Sequence, residues 1–410
     1  MIDPTRRQYN AQFSEQDYAD FLANMHADYP GQLEFRLAET PVFVPKAFTA
    51  KLQSACEAII DTLTAPDFAA NTEAAIPPGQ RVPGPEGHTM FMAVDFAVCR
   101  DTNPDSTTYG ELEPQLIELQ GFPSLFCFQP YLAERFRAHF KIPSEATHLV
   151  GLPDNAAYLS LLREVILGDC AAEEVILLEI FPEKQKTRID FALTATYLGV
   201  EAVCLTQLSK RGRELFYQKD GREIKIKRIY NRLIFDELTA LPDLQTEFSL
   251  TDDVDVTWVG HPNWFFRISK FTLPLIRHAY VPESHYLSQV SHDPAVLGNL
   301  ENYVLKPLFS FAGSGVKINV TQADLDTIPV EERGGYLLQR KVRYEPVIQT
   351  TKGPDDRVKC EVRLLFVWPE HEAKPRLVTN LARLSRGEMI GVRFNKDFDW
   401  VGGTIAFFES

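Results

Sequence analysis

The chain has 410 residues, with 42 basic and 56 acidic side chains and a net charge of −14. Apolar residues make up 45% of it, which excludes a disordered chain, and the acidic balance argues against a general nucleic-acid binder. No stretch approaches 18 apolar residues and the N-terminus lacks an apolar segment, so we expect neither a membrane helix nor a signal peptide. The six cysteines form no CxxC pair, which indicates reduced thiols and a cytoplasmic protein.

The first 120 residues predict helices followed by two strands. Residues 1–75 read as helical, and Pro45 is placed to open a helix with apolar residues on one face. Residues 77–87 are rich in Pro and Gly and predict a surface loop. The apolar runs 91–98 and 116–119 predict strands.

The middle of the chain alternates between strand and helix patterns. A helix pattern begins after Asn155 and ends at Gly168, and the apolar run 174–181 predicts a strand. Residues 185–198 predict another helix, and residues 200–205 the next strand. This order implies a parallel α/β sheet that is buried on both faces. Two short strand patterns then flank Asp220-Gly221, a strong hairpin signal.

The pattern changes near residue 255, where an Asp-rich stretch at 245–257 precedes β-rich segments. We therefore predict two regions. Residues 1–255 form a helical and α/β region, and residues 256–410 contain the motifs that indicate a chemical function.

Lys306 lies on a predicted strand (303–306), which is followed by a turn at 313–315 and a second strand at 316–320. Glycines let backbone N–H groups approach phosphate oxygens, and the ammonium of Lys306 can neutralise them. A plain hairpin with a surface lysine explains the same pattern. No Walker, Rossmann or protein-kinase motif is present.

A second lysine, Lys270, adds to the evidence for a phosphate-binding site. Residues 269–274 read Ser-Lys-Phe-Thr-Leu-Pro, and Val-Pro-Glu-Ser follows at 281–284. This resembles the entry of the ATP-grasp nucleotide-binding domain, which implies two β-rich lobes at about 256–335 and 336–410. The resemblance implies that the nucleotide is held by Lys270, Lys306, Gly313, Ser314, Gly315, Gln339, Lys341, Val342 and Glu345. A core strand at 336–342 is the alternative.

Glu361 and Arg363 alternate onto one face of a predicted strand. A carboxylate beside a guanidinium suits Mg²⁺ and a γ-phosphate, although a cross-strand ion pair is a common alternative. The ATP-grasp resemblance implies that Glu361 and Asn395 bind Mg²⁺, and that Arg363 and Arg383 contact the transferring phosphoryl group.

The second metal position departs from the family pattern. Many ATP-grasp enzymes have Glu-x-Asn there, whereas the residue two before Asn395 is Arg393. Asp397 or Glu388 is then expected to supply the missing carboxylate, or one metal binds weakly.

The front half resembles the pre-ATP-grasp domain of glutathionylspermidine synthase-like proteins. The resemblance rests on Met92–Phe96, Leu116–Ser124 and the Tyr-Asn-Arg run at 230–232 before Asp236-Glu237. It implies substrate contacts by Asp95, Glu118, Gln120, Ser124, Tyr230, Asn231 and Arg232. Edge-strand charges and a solvated strand end are the plain alternatives.

The sequence therefore predicts an α/β and α+β protein with an ATP-grasp domain after a pre-ATP-grasp domain. The expected activity is an ATP- and Mg²⁺-dependent ligase that joins a small-molecule or peptide carboxylate to an amine, with no nucleic-acid or membrane partner. A non-catalytic ATP-binding relative, a small-molecule phosphotransferase and an unrelated α/β binding protein remain alternatives. The sequence gives no indication of the oligomeric state.

Overall fold

The structure is a computed structural model that describes residues 2–290, 294–309, 315–387, 390, 395 and 397–409. Within these ranges, none of the helices combines the length and the apolar character that a membrane span requires. The strands are β1 (Val42–Val44), β2 (Phe91–Arg100), β3 (Leu112–Gln120), β4 (Val175–Glu179), β5 (Glu201–Cys204), β6 (Ser209–Arg211), β7 (Glu214–Lys219), β8 (Arg222–Ile226), β9 (Arg228–Asn231), β10 (Thr257–Val259), β11 (Ser284–Tyr286), β12 (Tyr303–Pro307), β13 (Tyr336–Arg340), β14 (Ile348–Gln349), β15 (Arg357–Val367), β16 (Arg376–Ser385), β17 (Gly402–Thr404) and β18 (Ala406–Phe408).

Helices cover these sheets. The α-helices are α1 (Asp3–Gln12), α2 (Glu15–Asp28), α3 (Lys46–Leu63), α4 (Phe68–Asn71), α5 (Phe128–His139), α6 (Asn155–Leu167), α7 (Arg188–Leu198), α8 (Phe235–Thr239), α9 (Asn263–Arg267), α10 (Leu287–Val290), α11 (Pro294–Leu297) and α12 (Gln322–Asp326). Pro45 precedes α3 as predicted, and the apolar face of α3 packs in the same core as β2 and β15.

The central sheet is antiparallel, with the strand order β17-β16-β15-β2-β3 and β14 paired to β15. Strand β15 lies between β2 and β16, so Arg363 pairs with Asp95 on one side while Glu361 pairs with Arg383 on the other. The sheet joins residues from both sides of the predicted boundary at 255. That boundary therefore divides two regions of the sequence that share one sheet.

The predicted parallel sheet is confirmed. Its strands run in the order β10-β9-β4-β5, and every neighbouring pair is parallel. Gly168 and Gly199 end α6 and α7 with positive φ angles of 54° and 74°, a conformation that glycine adopts without steric cost. The hairpin of β7 and β8 turns at Asp220-Gly221, also as predicted.

A small antiparallel sheet has the order β11-β13-β12. The predicted strand at 316–320 is wrong, because in that stretch only Lys317 forms a bridge, with Leu305. Strand β13, where the second lobe was predicted to begin, pairs with β11 and β12 and so lies with the first-lobe strands.

The small sheet lies against the edge strand β3 of the central sheet. The backbone N–H of Leu116 donates to the carbonyl of Tyr280, 2.9 Å away, and the ammonium of Lys306 donates to the carbonyl of Ile117 at 3.2 Å. Charged side chains of both sheets therefore meet along β3, and this is where the candidate site lies.

Candidate functional site

Four charged side chains form a ladder on one face of the central sheet. Asp95 of β2 accepts from Arg363, with Nε–Oδ1 at 2.5 Å and Nη2–Oδ2 at 2.6 Å. Arg383 of β16 bridges two carboxylates, because its Nη2 lies 2.5 Å from Asp95 Oδ2 and 2.5 Å from Glu361 Oε1. The pairing register explains this grouping, since residues opposite or diagonal to each other share a face.

Burial makes these charges strongly interdependent. Burial raises the pKa of Asp95, but Arg363 and Arg383 outweigh it and hold the pKa below its ordinary value. Burial also raises the pKa of Glu361, and Arg383 opposes this only in part, so that pKa stays above its ordinary value. The pKa of Arg383 is raised by Glu361 and Asp95 against the effect of its own burial. The two arginines therefore stabilise the ionised form of Asp95, whereas they offset the burial of Glu361 only in part.

Tyr344 adds a neutral hydrogen-bond donor to the ladder, and this residue was not identified from the sequence. Its hydroxyl donates to Glu361 Oε2 at 2.6 Å, and burial raises its pKa well above the ordinary value, so it remains a donor. Nothing in the local sequence distinguishes this tyrosine, because its partner is 17 positions away on another strand.

Lys306 reaches the same region from β12. It shares a face with Gln339 of β13, and its Nζ donates to Gln339 Oε1 at 2.5 Å. Burial lowers the pKa of Lys306 to about 8, Glu118 opposes that shift, and the ammonium of Lys270 adds to it. The two predicted lysines are thus brought close enough to influence each other's charge.

Glu118 of β3 links the lysines to the ladder. Its Oε1 lies 3.6 Å from Arg363 Nη2 and accepts from Gln120 Nε2 at 3.0 Å. Burial lowers the pKa of Lys270, and the carboxylates of Glu118 and Asp236 oppose that change. The side chain of Glu118 is 28% exposed, so this carboxylate lies at the opening of the cluster.

Three of the predicted nucleotide residues lie elsewhere. Lys341 follows β13, and its Nζ donates to Asn319 at 3.1 Å. Val342 is half-buried beyond the end of the same strand. Glu345 pairs with Arg100 at 2.9 Å, and its N–H donates to the carbonyl of Val98. None of these contacts involves Lys306.

The glycine loop is described only at its end. Gly313 and Ser314 lie outside the described residues. Gly315 has a φ of +71°, and a Cβ there would lie 2.8 Å from Pro307 Cγ. The positive φ and the close approach of Pro307 both favour glycine at this position, whether or not the loop binds phosphate.

Asn395, one of the predicted metal ligands, has hydrogen-bond partners within the chain. Asn395 Oδ1 accepts from the hydroxyl of Ser385 and from the N–H groups of Arg386 and Gly387, each at 3.0 Å. This oxygen caps a turn at 385–387, and Asp397 is exposed. Arg393 and Glu388 lie outside the described residues. Among the residues described, no group of three or more His, Cys, Asp or Glu side chains is arranged to hold a metal ion.

The predicted substrate residues divide into two groups. Asp95, Glu118 and Gln120 belong to the charged cluster on the central sheet, and Ser124 lies in the irregular segment between β3 and α5. Tyr230 is fully buried and packs on Phe91, with ring centroids 5.3 Å apart. It therefore belongs to the core.

A second charged group lies at the carboxyl edge of the parallel sheet. Asn231 donates to the carbonyl of Leu233, and Arg232 donates to the carbonyl of Pro123. The pKa of Glu179 rises to about 8 through burial, against the opposing effect of Arg232, and Glu237 raises it further. Glu179 is the last residue of β4. Glu179 was not singled out from the sequence, although a charged residue at the end of an apolar parallel strand is a signal that could have indicated this edge.

Comparison with known proteins gives a match at the level of fold. Neither the protein-family models nor the curated proteins contain a match. A solved structure does match, that of a glutathione synthetase-like effector from Globodera pallida in its apo form, with a TM-score of 0.57 and 11% identity over 96% of each chain. The chain has a mixed α/β fold similar to that of glutathione synthetase-like proteins. The match extends over nearly the whole chain, so it includes both sheets that form the charged cluster.

Proposed function

We propose that this chain is an ATP-dependent ligase of the ATP-grasp type that joins a carboxylate to an amine. The observation that carries the proposal is the convergence of Lys270 and Lys306 on Glu118, next to Arg363 and Arg383. The fold similarity to a glutathione synthetase-like protein supports the same reaction class.

The charge of this cluster suits a phosphate chain. The cluster contains the cations Lys270, Lys306, Arg363 and Arg383, together with the carboxylates Asp95, Glu118 and Glu361. Asp95 and Glu361 are held by the two arginines. The ammonium groups of the lysines therefore supply the positive charge that faces Glu118, where the cluster opens. In phosphoryl transfer a protein mainly positions groups and stabilises charge, which is what such a cluster does.

The proposed reaction has two balanced steps. A carboxylate oxygen of the acid substrate attacks the γ-phosphorus of ATP, the bond to the bridging oxygen breaks, and ADP leaves. The amine then attacks the acyl carbon, phosphate leaves with the bonding electrons, and the amine nitrogen releases a proton. Lys306 and Lys270 would hold the phosphates in line, and the buried ladder would keep water from the acyl phosphate.

Magnesium fits this site through two carboxylates and the phosphates of ATP. Glu118 and Glu361 both act on the charge of the Lys306 ammonium, so both carboxylates lie within electrostatic range of that group. Mg²⁺ commonly takes one or two carboxylates and completes its shell with phosphates and water. Bound in this way it would neutralise phosphate charge, whereas Asn395 would keep its capping role.

A non-catalytic nucleotide-binding protein is the second candidate. It is favoured by the internal pairing of the ladder, in which Arg363 and Arg383 already bind carboxylates of the chain. Such arginines must exchange partners before they contact a transferring phosphoryl group.

Product analysis separates these candidates. The protein is incubated with Mg-ATP, pooled amino acids and hydroxylamine, and both ADP and hydroxamate are measured. A ligase releases ADP and forms hydroxamate, because hydroxylamine captures the acyl phosphate. A phosphotransferase gives ADP with a stable phosphoester, and a binding protein gives neither. Absence of hydroxamate with every acid tested, together with no ADP release, would reject the ligase.

A further inference from the structure

A small pocket opens beside the charged cluster, between the end of β3 and the segment that carries Lys270. We call it the side-chain pocket. Its apolar wall consists of Phe122, Phe265, Ile268, Leu308 and Phe309. The rings of Phe122 and Phe265 pack edge to face, with centroids 5.4 Å apart. These residues give the pocket an apolar interior, which lies next to the charged cluster.

Backbone contacts hold this wall in place. The N–H of Gly121 donates to the carbonyl of Ile268 at 2.9 Å, and Thr89 donates to the carbonyl of Gly121 at 3.0 Å. A Cβ at Gly121 would lie 2.4 Å from the carbonyl oxygen of Trp264. The end of β3 and the segment at 264–268 are therefore in direct contact, and the pocket is formed before any ligand binds.

The pocket has a polar side and a small volume. Leu119 and the polar residues Glu118, Gln120, Ser269 and Lys270 complete its lining, so a carboxylate and an ammonium lie next to the apolar wall. The pocket volume is about 50 Å³, which admits a few heavy atoms but not a whole aromatic ring. Phe309 is 38% exposed and borders the pocket, where its ring can limit the size of an entering group.

We propose that the side-chain pocket receives the branched aliphatic side chain of an α-amino acid, or of the terminal residue of a peptide. The substrate carboxylate lies toward Lys270 and its ammonium toward Glu118. This inference rests on the proposed ligase function, because it places the carboxylate beside the lysine assigned to the phosphates. A small polar substrate would leave the phenylalanine wall in contact with water, which disfavours it.

Binding of a graded series of amino acids tests the pocket directly. Saturation-transfer NMR and calorimetry are run on the full chain with L-alanine, L-valine, L-leucine, L-phenylalanine and L-aspartate, with and without Mg-ATP. We expect L-valine or L-leucine to bind at least about tenfold more tightly than L-alanine, since their side chains add two or three carbon atoms, and even one methylene in an apolar pocket gives discrimination of about this size. Equal binding of all five, or a preference for L-aspartate, would overturn the inference.

A variant that enlarges the side-chain pocket provides a second test of the proposal. Phe309→Ala removes a half-exposed ring at the pocket and should shift the preference from L-leucine toward L-phenylalanine by about tenfold. Phe398→Ala is the matched control, because Phe398 is 45% exposed and does not line the pocket. Unchanged selectivity in Phe309→Ala would count against the pocket.

The two proposals fail in different ways. Selective amino-acid binding without any binding of Mg-ATP would reject the ligase and leave the pocket in place. Binding of Mg-ATP without selectivity in the series would reject the pocket alone.

Discussion

Arg363 of β15 and Asp95 of β2 lie opposite each other in the central sheet and form two parallel hydrogen bonds, Nε–Oδ1 at 2.5 Å and Nη2–Oδ2 at 2.6 Å. Such a bidentate pair fixes both position and orientation. Because Arg383 also contacts Asp95, one carboxylate holds guanidinium groups from two strands.

Asp95→Asn should destabilise the fold strongly. The variant removes the charge of the one carboxylate that both arginines share, and the loss of one partner from a buried ion pair costs about 3–5 kcal/mol. Urea denaturation at neutral pH measures the change. Asp61→Asn is the control, because the Asp61–Lys374 pair is exposed on both sides and is worth about 0–1 kcal/mol. Equal effects of the two variants would show that the ladder does not hold the strands together.

Lys306→Met should abolish most of the thermal stabilisation by Mg-ATP. Methionine keeps the apolar stem but removes the charge, and a charge-assisted hydrogen bond contributes about 1.5–3 kcal/mol. The affinity of the wild type should also fall above the Lys306 pKa of about 8, because the ammonium loses its proton. Calorimetry across this pH range measures both effects.

The control for this experiment is Lys317→Met. Lys317 pairs with Leu305 on the neighbouring strand, but its side chain is 50% exposed and bonds Asp324. This variant should bind Mg-ATP as the wild type does. If both lysine variants bound Mg-ATP normally, the assignment of Lys306 to the phosphates would be wrong.

Asn395→Ala should lower stability rather than metal affinity. Its side-chain oxygen accepts three hydrogen bonds from 385–387, and buried donors left without a partner cost about 1–3 kcal/mol. Asn395→Asp keeps the acceptor and should retain most of the stability. Urea denaturation and a magnesium titration of nucleotide binding are compared. A variant of wild-type stability that requires much more magnesium would instead support the metal role predicted from the sequence.

Glu179→Gln should stabilise the protein above neutral pH. Burial raises the pKa of Glu179 from 4.5 to about 8, so between these values the folded state binds a proton that the unfolded state lacks. The stabilising contribution is complete below pH 4.5 and is lost as pH rises through 8. The melting temperature of Glu179→Gln, relative to wild type, should therefore increase from about pH 5 to about pH 8.5. Glu201→Gln, at an exposed position that begins β5, should show no such trend, and a flat profile for both would contradict the buried-carboxyl assignment.

Local patterns predicted much of the fold correctly. The parallel strands β4 and β5, the helices that end at Gly168 and Gly199, and the hairpin at Asp220 follow from apolar periodicity and turn chemistry. The failed strand at 316–320 contains Val, Ile and Val, yet it lacks a partner beyond the Lys317 bridge. Strand propensity depends on pairing, and the sequence does not state which partner is present.

The site was harder to predict from the sequence than the fold was. Glu361 and Arg363 were assigned to one face because side chains alternate along a strand, and the structure has them there. The partners were not predictable, since Asp95 and Tyr344 reach Glu361 and Arg363 only through strand pairing between distant parts of the chain. Asn395 was assigned by its order in a family pattern, whereas its hydrogen bonds depend on the local turn at 385–387.

The interleaved central sheet also has a consequence for synthesis. Strand β15 inserts between β2 and β16, so the pairing of Asp95 with Arg363 spans 268 positions. Contacts of such long range slow folding. The edge of β2 that pairs with β15 stays unpaired until the ribosome has translated β15. A nascent chain paused before that point would present an unpaired hydrophobic strand, the kind of segment that chaperones recognise.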